Sequence, residues 1–304
     1  MNERKKTGIW KEIRELKGIG TAEAMRVAAE LALDAEGGAE ERFYKLVWYS
    51  DACGGRLTRF KFDPRRLKIG LFDEKSGAKP KNIEDYERNS ASISRTKRRI
   101  YEIAACNEWE WFFTGTLDGE KVDRNNLNET YKRISQYFRD FRKTHEGIPL
   151  RYLIVPEQHK DGAWHFHGLL GGLDVKELHK FSTDEIIPHA IRSQIEKGID
   201  IFTWNGYAER FGFSTLSAVR SHSAVSKYIT KYITKDLLEN VDKDRKGKKL
   251  YYISRGLNKP EVIDEGMSTA IPPDYDYEND YIAVTGVHDV AAREQLVREL
   301  FGKK

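Results

Sequence analysis

Between Trp111 and Leu238 the chain switches repeatedly between a period of two and a period near 3.6, and this alternation restricts the fold more than any other feature. Trp111–Leu117 (WFFTGTL) is short, aromatic and β-branched, the composition of a strand. Asn128–Lys143 has helical spacing: Tyr131, Ile134, Phe138 and Phe141 share one face, while Lys132, Arg139 and Arg142 lie away from it. Arg151–Glu157 (RYLIVPE) and Trp164–Leu170 (WHFHGLL) read as strands joined by a turn containing Asp161-Gly162. Thr183–Lys197 reads as helical around Pro188, Phe213–Val219 as a strand and Ser223–Leu238 as a strong helix. The order β-α-β-β-α-β-α predicts an α+β domain with a ferredoxin-like or RRM-like antiparallel sheet and helices on one face.

The flanks read differently. Residues 1–89 form an N-terminal α/β region to which no chemistry attaches, 90–257 the central domain, and 258–304 an acidic, irregular tail ending in a helix over Asp289–Phe301. In the first region Thr21 is a candidate N-cap for a helix over Thr21–Ala35. Phe43–Tyr49 and Arg56–Phe62 are strand-like and pair across Gly54-Gly55. Ser90–Ala105 reads as a basic amphipathic helix leading into the central domain.

Composition enters through its distribution. A net charge of +4 on 304 residues says little about partners, but the basic residues cluster in Arg88–Arg99, Arg139–Lys143 and Lys243–Arg255. Patches of this kind suit phosphate contacts, although each run alone also fits a solvated face. The candidate DNA contacts are Arg95, Lys97, Arg98, Arg99, Lys227 and Lys235. Cys53 and Cys106 lie too far apart in sequence for a zinc knuckle or a disulfide framework. No apolar run has membrane-spanning length, and Met1–Lys6 is charged where a signal peptide would be apolar, so a cytoplasmic location without membrane contact is expected.

Three segments carry candidate chemistry. In His165-Phe166-His167 the strand period sends both imidazoles to one face and Phe166 to the other. Such a pair begins a metal site, and taken alone it also fits an ordinary surface strand. Glu157 ends the preceding strand, where a hairpin brings its carboxylate near both rings. Two imidazoles and a carboxylate suit Mg²⁺ or Mn²⁺ and leave positions for a phosphate oxygen. His159, in the same turn, reads as exposed. In Ser223–Leu238 the steps of four give an apolar row of Val225, Ile229, Ile233 and Leu237, a neighbouring row of Tyr228 and Tyr232, and a lysine row of Lys227, Lys231 and Lys235. The helix docks by the apolar row and carries two hydroxyls at its margin. Two tyrosines packed at a core edge would look the same.

Together, FFTGTL, HFHGLL preceded by VPEQHKDGAW, and YITKYITK resemble the HUH endonucleases, specifically the rolling-circle replication initiators of bacterial plasmids and phages. The segment SRTKRRIYEIAACNEWEWFFTGTLD is similar to the lead-in of phage replication-associated proteins. The resemblance implies that His165, His167 and Glu157 hold the divalent metal, that Tyr228 and Tyr232 are paired nucleophiles and that Lys231 contacts the phosphate or the leaving oxygen. It also implies nicking of single-stranded or hairpin origin DNA, a 5′-phosphotyrosine link, a 3′-OH that primes a host polymerase, and later rejoining of strands. No Walker A pattern occurs, so unwinding falls to a host helicase. A transposase or relaxase would share this chemistry, and an RRM-like RNA-binding module would share the sheet order.

Overall fold

The computed structural model describes residues 41–60, 83–145, 149–233, 250–270, 275–278 and 282–303, and in the first helix side chains from residue 94 onward. The chain divides into two compact units, Met1–Asn89 with Pro260–Lys304, and Ser90–Lys259. The helix expected over Thr21–Ala35 lies outside the described residues, as do Lys235, Leu237 and the stretch 243–249.

The first described segment is a hairpin, β1 (Arg42–Ser50) and β2 (Gly54–Phe60), paired antiparallel as the two strand-like runs predict. Helix α1 (Ile83–Ala105) follows and starts earlier than the Ser90 expected. It runs into β3 (Trp111–Thr116), then α2 (Leu127–Thr144), β4 (Arg151–Gln158) and β5 (Trp164–Gly171). The Asn126 side chain caps α2 by accepting from the Glu129 N–H at 3.2 Å. Next come β6 (Leu178–Lys180), α3 (His189–Glu196), β7 (Ile201–Trp204), α4 (Asn205–Arg210), β8 (Ser214–Ala218), α5 (His222–Tyr228) and β9 (Tyr252–Ile253). Pro188 adopts ψ 143°, an extended value that delays α3 until His189, so the helix expected from Thr183 is cut to its second half.

The second unit is built on one seven-stranded sheet in the order β6-β7-β8-β3-β5-β4-β9, with every pairing antiparallel. Its middle, β8-β3-β5-β4, is the arrangement that the β-α-β-β-α-β order predicts. On one face Phe113, Tyr152, Ile154, Phe166, Leu170 and Leu216 pack against Ile134, Phe138 and Phe141 of α2. The alternate strand residues Leu153, Val155 and Leu169 meet Ile100, Ile103 and Ala104 of α1 together with Ile229 and Ile233. Helices therefore cover parts of both faces, not one alone. The second face is left open along the histidine end of β5.

Gly115 of β3 shows how tight the α2-side core is. A Cβ there would meet the Tyr207 Oη at 2.5 Å and the Tyr207 ring at 2.8 Å. Tyr207 is fully buried, and its hydroxyl has no hydrogen-bond partner among the described residues. Gly115→Ala is expected to cost about 1–3 kcal/mol through overpacking. Adding Tyr207→Phe removes the nearest obstructing atom and an unsatisfied hydroxyl, so it should recover part of that loss. Urea unfolding midpoints of the two variants check this; an alanine variant as stable as the parent would show that the core yields.

The tail returns to the first hairpin. β10 (Glu261–Ser268), β11 (Tyr277–Glu278) and β12 (Ile282–Val287) complete a five-stranded antiparallel sheet, β10-β1-β2-β12-β11. This corrects the reading of the tail as irregular. Helix α6 (Val290–Phe301) has the Asp289 side chain as its N-cap and Gly302, at φ 64°, as its left-handed C-cap. Its Leu296 and Leu300 pack with Tyr44, Leu46, Trp48 and Leu57. The tail's acidity is in part cross-strand pairing: Glu265 stands opposite Lys45 in register and bonds its Nζ at 2.6 Å.

Candidate active site

The site is assembled by strand register. Across β3, β5 and β4 one row reads Thr116, His165, Glu157, and the next reads Thr114, His167, Val155. All six side chains belong to the alternation that sends Leu153 and Leu169 toward α1, so His165 and His167 project together and Phe166, 1% exposed, points into the α2-side core. The turn between β4 and β5 is closed by the His159 N–H donating to Ala163 O at 2.8 Å, with Gly162 at φ 86°.

Glu157 and His167 are brought into contact: His167 Nε2 lies 2.9 Å from Glu157 Oε2, and both side chains are only about one-seventh exposed, at 13% and 14%. On the far side of each ring stands a threonine. Thr114 Oγ1 lies 3.3 Å from His167 Nδ1, and Thr116 Oγ1 lies 3.4 Å from His165 Nδ1. His159 is exposed as expected, and its ring stacks on His165 at 3.7 Å.

Burial pushes the His165 imidazole down to about 4, and the neighbouring rings of His159 and His167 add to this by opposing a second positive charge. Burial also lowers His167, against the pull of the Glu157 carboxylate. Both rings are thus held neutral, the form that ligates a cation. A divalent ion would be held by His165, His167 and Glu157, and the chemistry of this donor set fits it. As arranged, however, no three His, Cys, Asp or Glu side chains among the described residues are grouped to hold a metal ion. Glu157 is turned to the His167 Nε2, and that contact must open for both to ligate.

The tyrosines reach the same face. Ile229 and Ile233 are buried in the α1-side cluster, with Val225 and Tyr232 packed at its edge, as the steps of four predict. The helix is not continuous: α5 stops at Tyr228, residues 229–230 form a turn, and 231–233 are helical again. The Thr230 hydroxyl donates back to Lys227 O at 2.7 Å, a bond that competes with the helical ladder. The Tyr232 ring stacks on His167 at 3.8 Å with 12° between planes. The Tyr232 hydroxyl donates to the Tyr228 oxygen at 3.0 Å. Burial, the Tyr228 hydroxyl and the Glu157 charge raise the Tyr232 phenol well above its ordinary value. Tyr228 is 47% exposed, packs edge-on against Phe112 at 5.5 Å and has the Lys231 Nζ 5.8 Å from its ring centre.

The basic candidates are more dispersed. Arg95 and Arg98 are exposed on α1, Lys97 and Arg99 half-buried, and Arg98 and Arg99 share Glu102 at 3.7 and 3.9 Å. Lys227 is exposed beside the tyrosines. Thr114, Thr116 and Phe112 were missed as site residues. Their signal lies in β3: three side chains at i, i+2 and i+4 share a face, and the register with β5 sets two of them against the histidines.

The fold and the site define an α+β domain with a sheet-face cluster of histidine, carboxylate and paired tyrosines. Residues 110–237, less than half of the chain but all of this cluster, match a family model described as a replication-associated protein of the ORF2 type, and the match supports a replication-associated protein. No curated protein and no solved structure matches the chain. No helix among the described residues is long and apolar enough to cross a membrane.

Proposed function

We propose that the chain is a rolling-circle replication initiator of the HUH type, a metal-dependent endonuclease that nicks one DNA strand and keeps its 5′ end on a tyrosine. The observation that carries this reading is the packing of Tyr232 on His167 with the Tyr228 oxygen 3.0 Å from the Tyr232 hydroxyl, which puts two candidate nucleophiles beside the candidate metal ligands. Bound at His165, His167 and Glu157, Mg²⁺ or Mn²⁺ would supply Lewis-acid polarisation of the scissile phosphate.

Tyr228 is the first nucleophile in this reading. Its hydroxyl is the more exposed, and the O–H of Tyr232 donates to it, stabilising the charge that develops when its proton leaves for water. Its oxygen then bonds to phosphorus, the P–O3′ bond breaks, and the 3′ oxygen takes up a proton to leave a free 3′-OH. The 5′ phosphate remains on Tyr228. Lys231, close to the same ring, contributes positive charge beside the phosphate. Tyr232 is then available for the second cut. The experiment that tests the reading is a denaturing gel of the protein incubated with labelled single-stranded origin DNA, in which a covalent adduct is expected.

A tyrosine fixed on a helix needs an unpaired, bendable backbone for in-line attack, so single-stranded and hairpin DNA should be cut and relaxed duplex hardly at all. Phosphate contacts by Arg95, Lys97, Arg98, Arg99 and Lys227 make binding salt-dependent. Lys227→Ala is expected to shallow the log Kd against log salt slope by about 0.7, one single-strand phosphate contact. Fluorescence anisotropy across a salt series measures it, and binding indifferent to salt would refute the electrostatic part of the reading.

A further inference from the structure

We propose that Thr114 and Thr116 are positioning residues whose hydroxyls let His167 and His165 adopt the tautomer that a divalent cation needs. This rests on the metal site proposed above. Both histidines meet a threonine hydroxyl at Nδ1, at 3.3 and 3.4 Å, and the arrangement is repeated because residues two apart on β3 face residues two apart on β5.

The need for such a partner is clearest at His167. A neutral imidazole carries one proton, and an ionised carboxylate can only accept. With Nε2 2.9 Å from Glu157 Oε2, the proton of neutral His167 sits on Nε2 and is donated to Glu157. Nδ1 then bears a lone pair, and Thr114 O–H donates to it. To ligate a cation through Nε2 the ring must give up that proton and take one at Nδ1. The exchange runs through water and leaves the ring neutral. The Nδ1–H then needs an acceptor in the place where a donor stood.

A hydroxyl serves in both states, because it is donor and acceptor and only has to rotate about its C–O bond. A backbone carbonyl or a carboxylate would favour one tautomer permanently. Thr114 therefore stays bonded to Nδ1 in the arrangement where Glu157 holds the Nε2 proton and in the one where a cation replaces it. Thr116 offers His165 the same choice. Ligand histidines depend on such partners for ring orientation and basicity.

The test is isothermal titration of the full chain with Mn²⁺, comparing wild type, Thr114→Val/Thr116→Val and Thr114→Ser/Thr116→Ser. Valine keeps the shape without the hydroxyl and should weaken Mn²⁺ binding roughly 10- to 100-fold. Serine keeps the hydroxyl and should restore it, with urea midpoints showing that all three fold. Equal Mn²⁺ binding by the valine variant, or equal loss in the serine variant, overturns the role of the hydroxyls while leaving the metal site standing. Wild type that fails to bind Mn²⁺ overturns the metal site, and this inference with it. If the valine variant does not fold, histidine ¹⁵N shifts of the Mg²⁺-loaded wild type decide: Nδ1–H on both rings supports the proposal, and Nε2–H overturns it.

Discussion

Tyr228→Phe/Tyr232→Phe is expected to abolish the covalent protein–DNA adduct and to slow nicking by more than about 10³-fold, the scale on which loss of a nucleophile acts. Phenylalanine keeps the packing of both rings against Phe112 and of Tyr232 against His167, so the docking of the helix on the sheet is preserved. Only the two oxygens, 3.0 Å apart, are lost. Denaturing gels with an end-labelled single-stranded oligonucleotide read adduct and nick separately. Tyr228→Phe alone should suppress the first cut, because Tyr232 is buried against His167 and its phenol resists ionisation. Tyr232→Phe should still nick but lose strand transfer. An adduct from the double variant would place the nucleophile elsewhere. Cutting without any adduct would make water the nucleophile and the protein a hydrolytic nuclease.

His165→Ala/His167→Ala is expected to remove Mn²⁺ binding and to reduce nicking by a similar factor of roughly 10³ or more, since the polarised phosphate is lost with the ion. The rings lie on an open part of the sheet face while the core beneath is held by Phe166, Leu169 and Leu170, so the unfolding midpoint should move little. Chelation of the wild type should produce the same loss, reversed by adding Mg²⁺ or Mn²⁺. Calorimetric titration and the same gel assay check both effects. Full nicking by the double alanine variant would refute the assignment of His165 and His167. Removing Glu157 alone should be milder for activity, because it also frees the His167 Nε2 from its hydrogen bond.

The elements that were legible in the sequence are those whose signal is local. The period-two alternation of WHFHGLL placed both histidines on one face, and the steps of four in YITKYITK placed Ile229 and Ile233 inward and both tyrosines at the margin. The turn around Asp161-Gly162 foretold that Glu157 would come back beside them. The short strands β6 and β7 escaped notice because three or four residues carry no readable period. Strands β10 to β12 escaped because they are acidic and half-exposed, so nothing alternates; they exist through pairing with residues more than 200 positions away.

By itself, then, the sequence determined which residue types stand at which spacing: an α+β domain, two histidines sharing a face, a carboxylate one hairpin away and two tyrosines one helical turn apart. Only the tertiary structure decided which neighbours they have. The β3–β5 register set Thr114 and Thr116 against the two Nδ1 atoms, Glu157 closed on one histidine rather than both, and Tyr232 stacked on His167 while Tyr228 stayed open. The physical reason is range. Side-chain direction follows from backbone geometry within a few residues, whereas a hydrogen bond between strands depends on the register of segments about fifty residues apart, which no local pattern encodes.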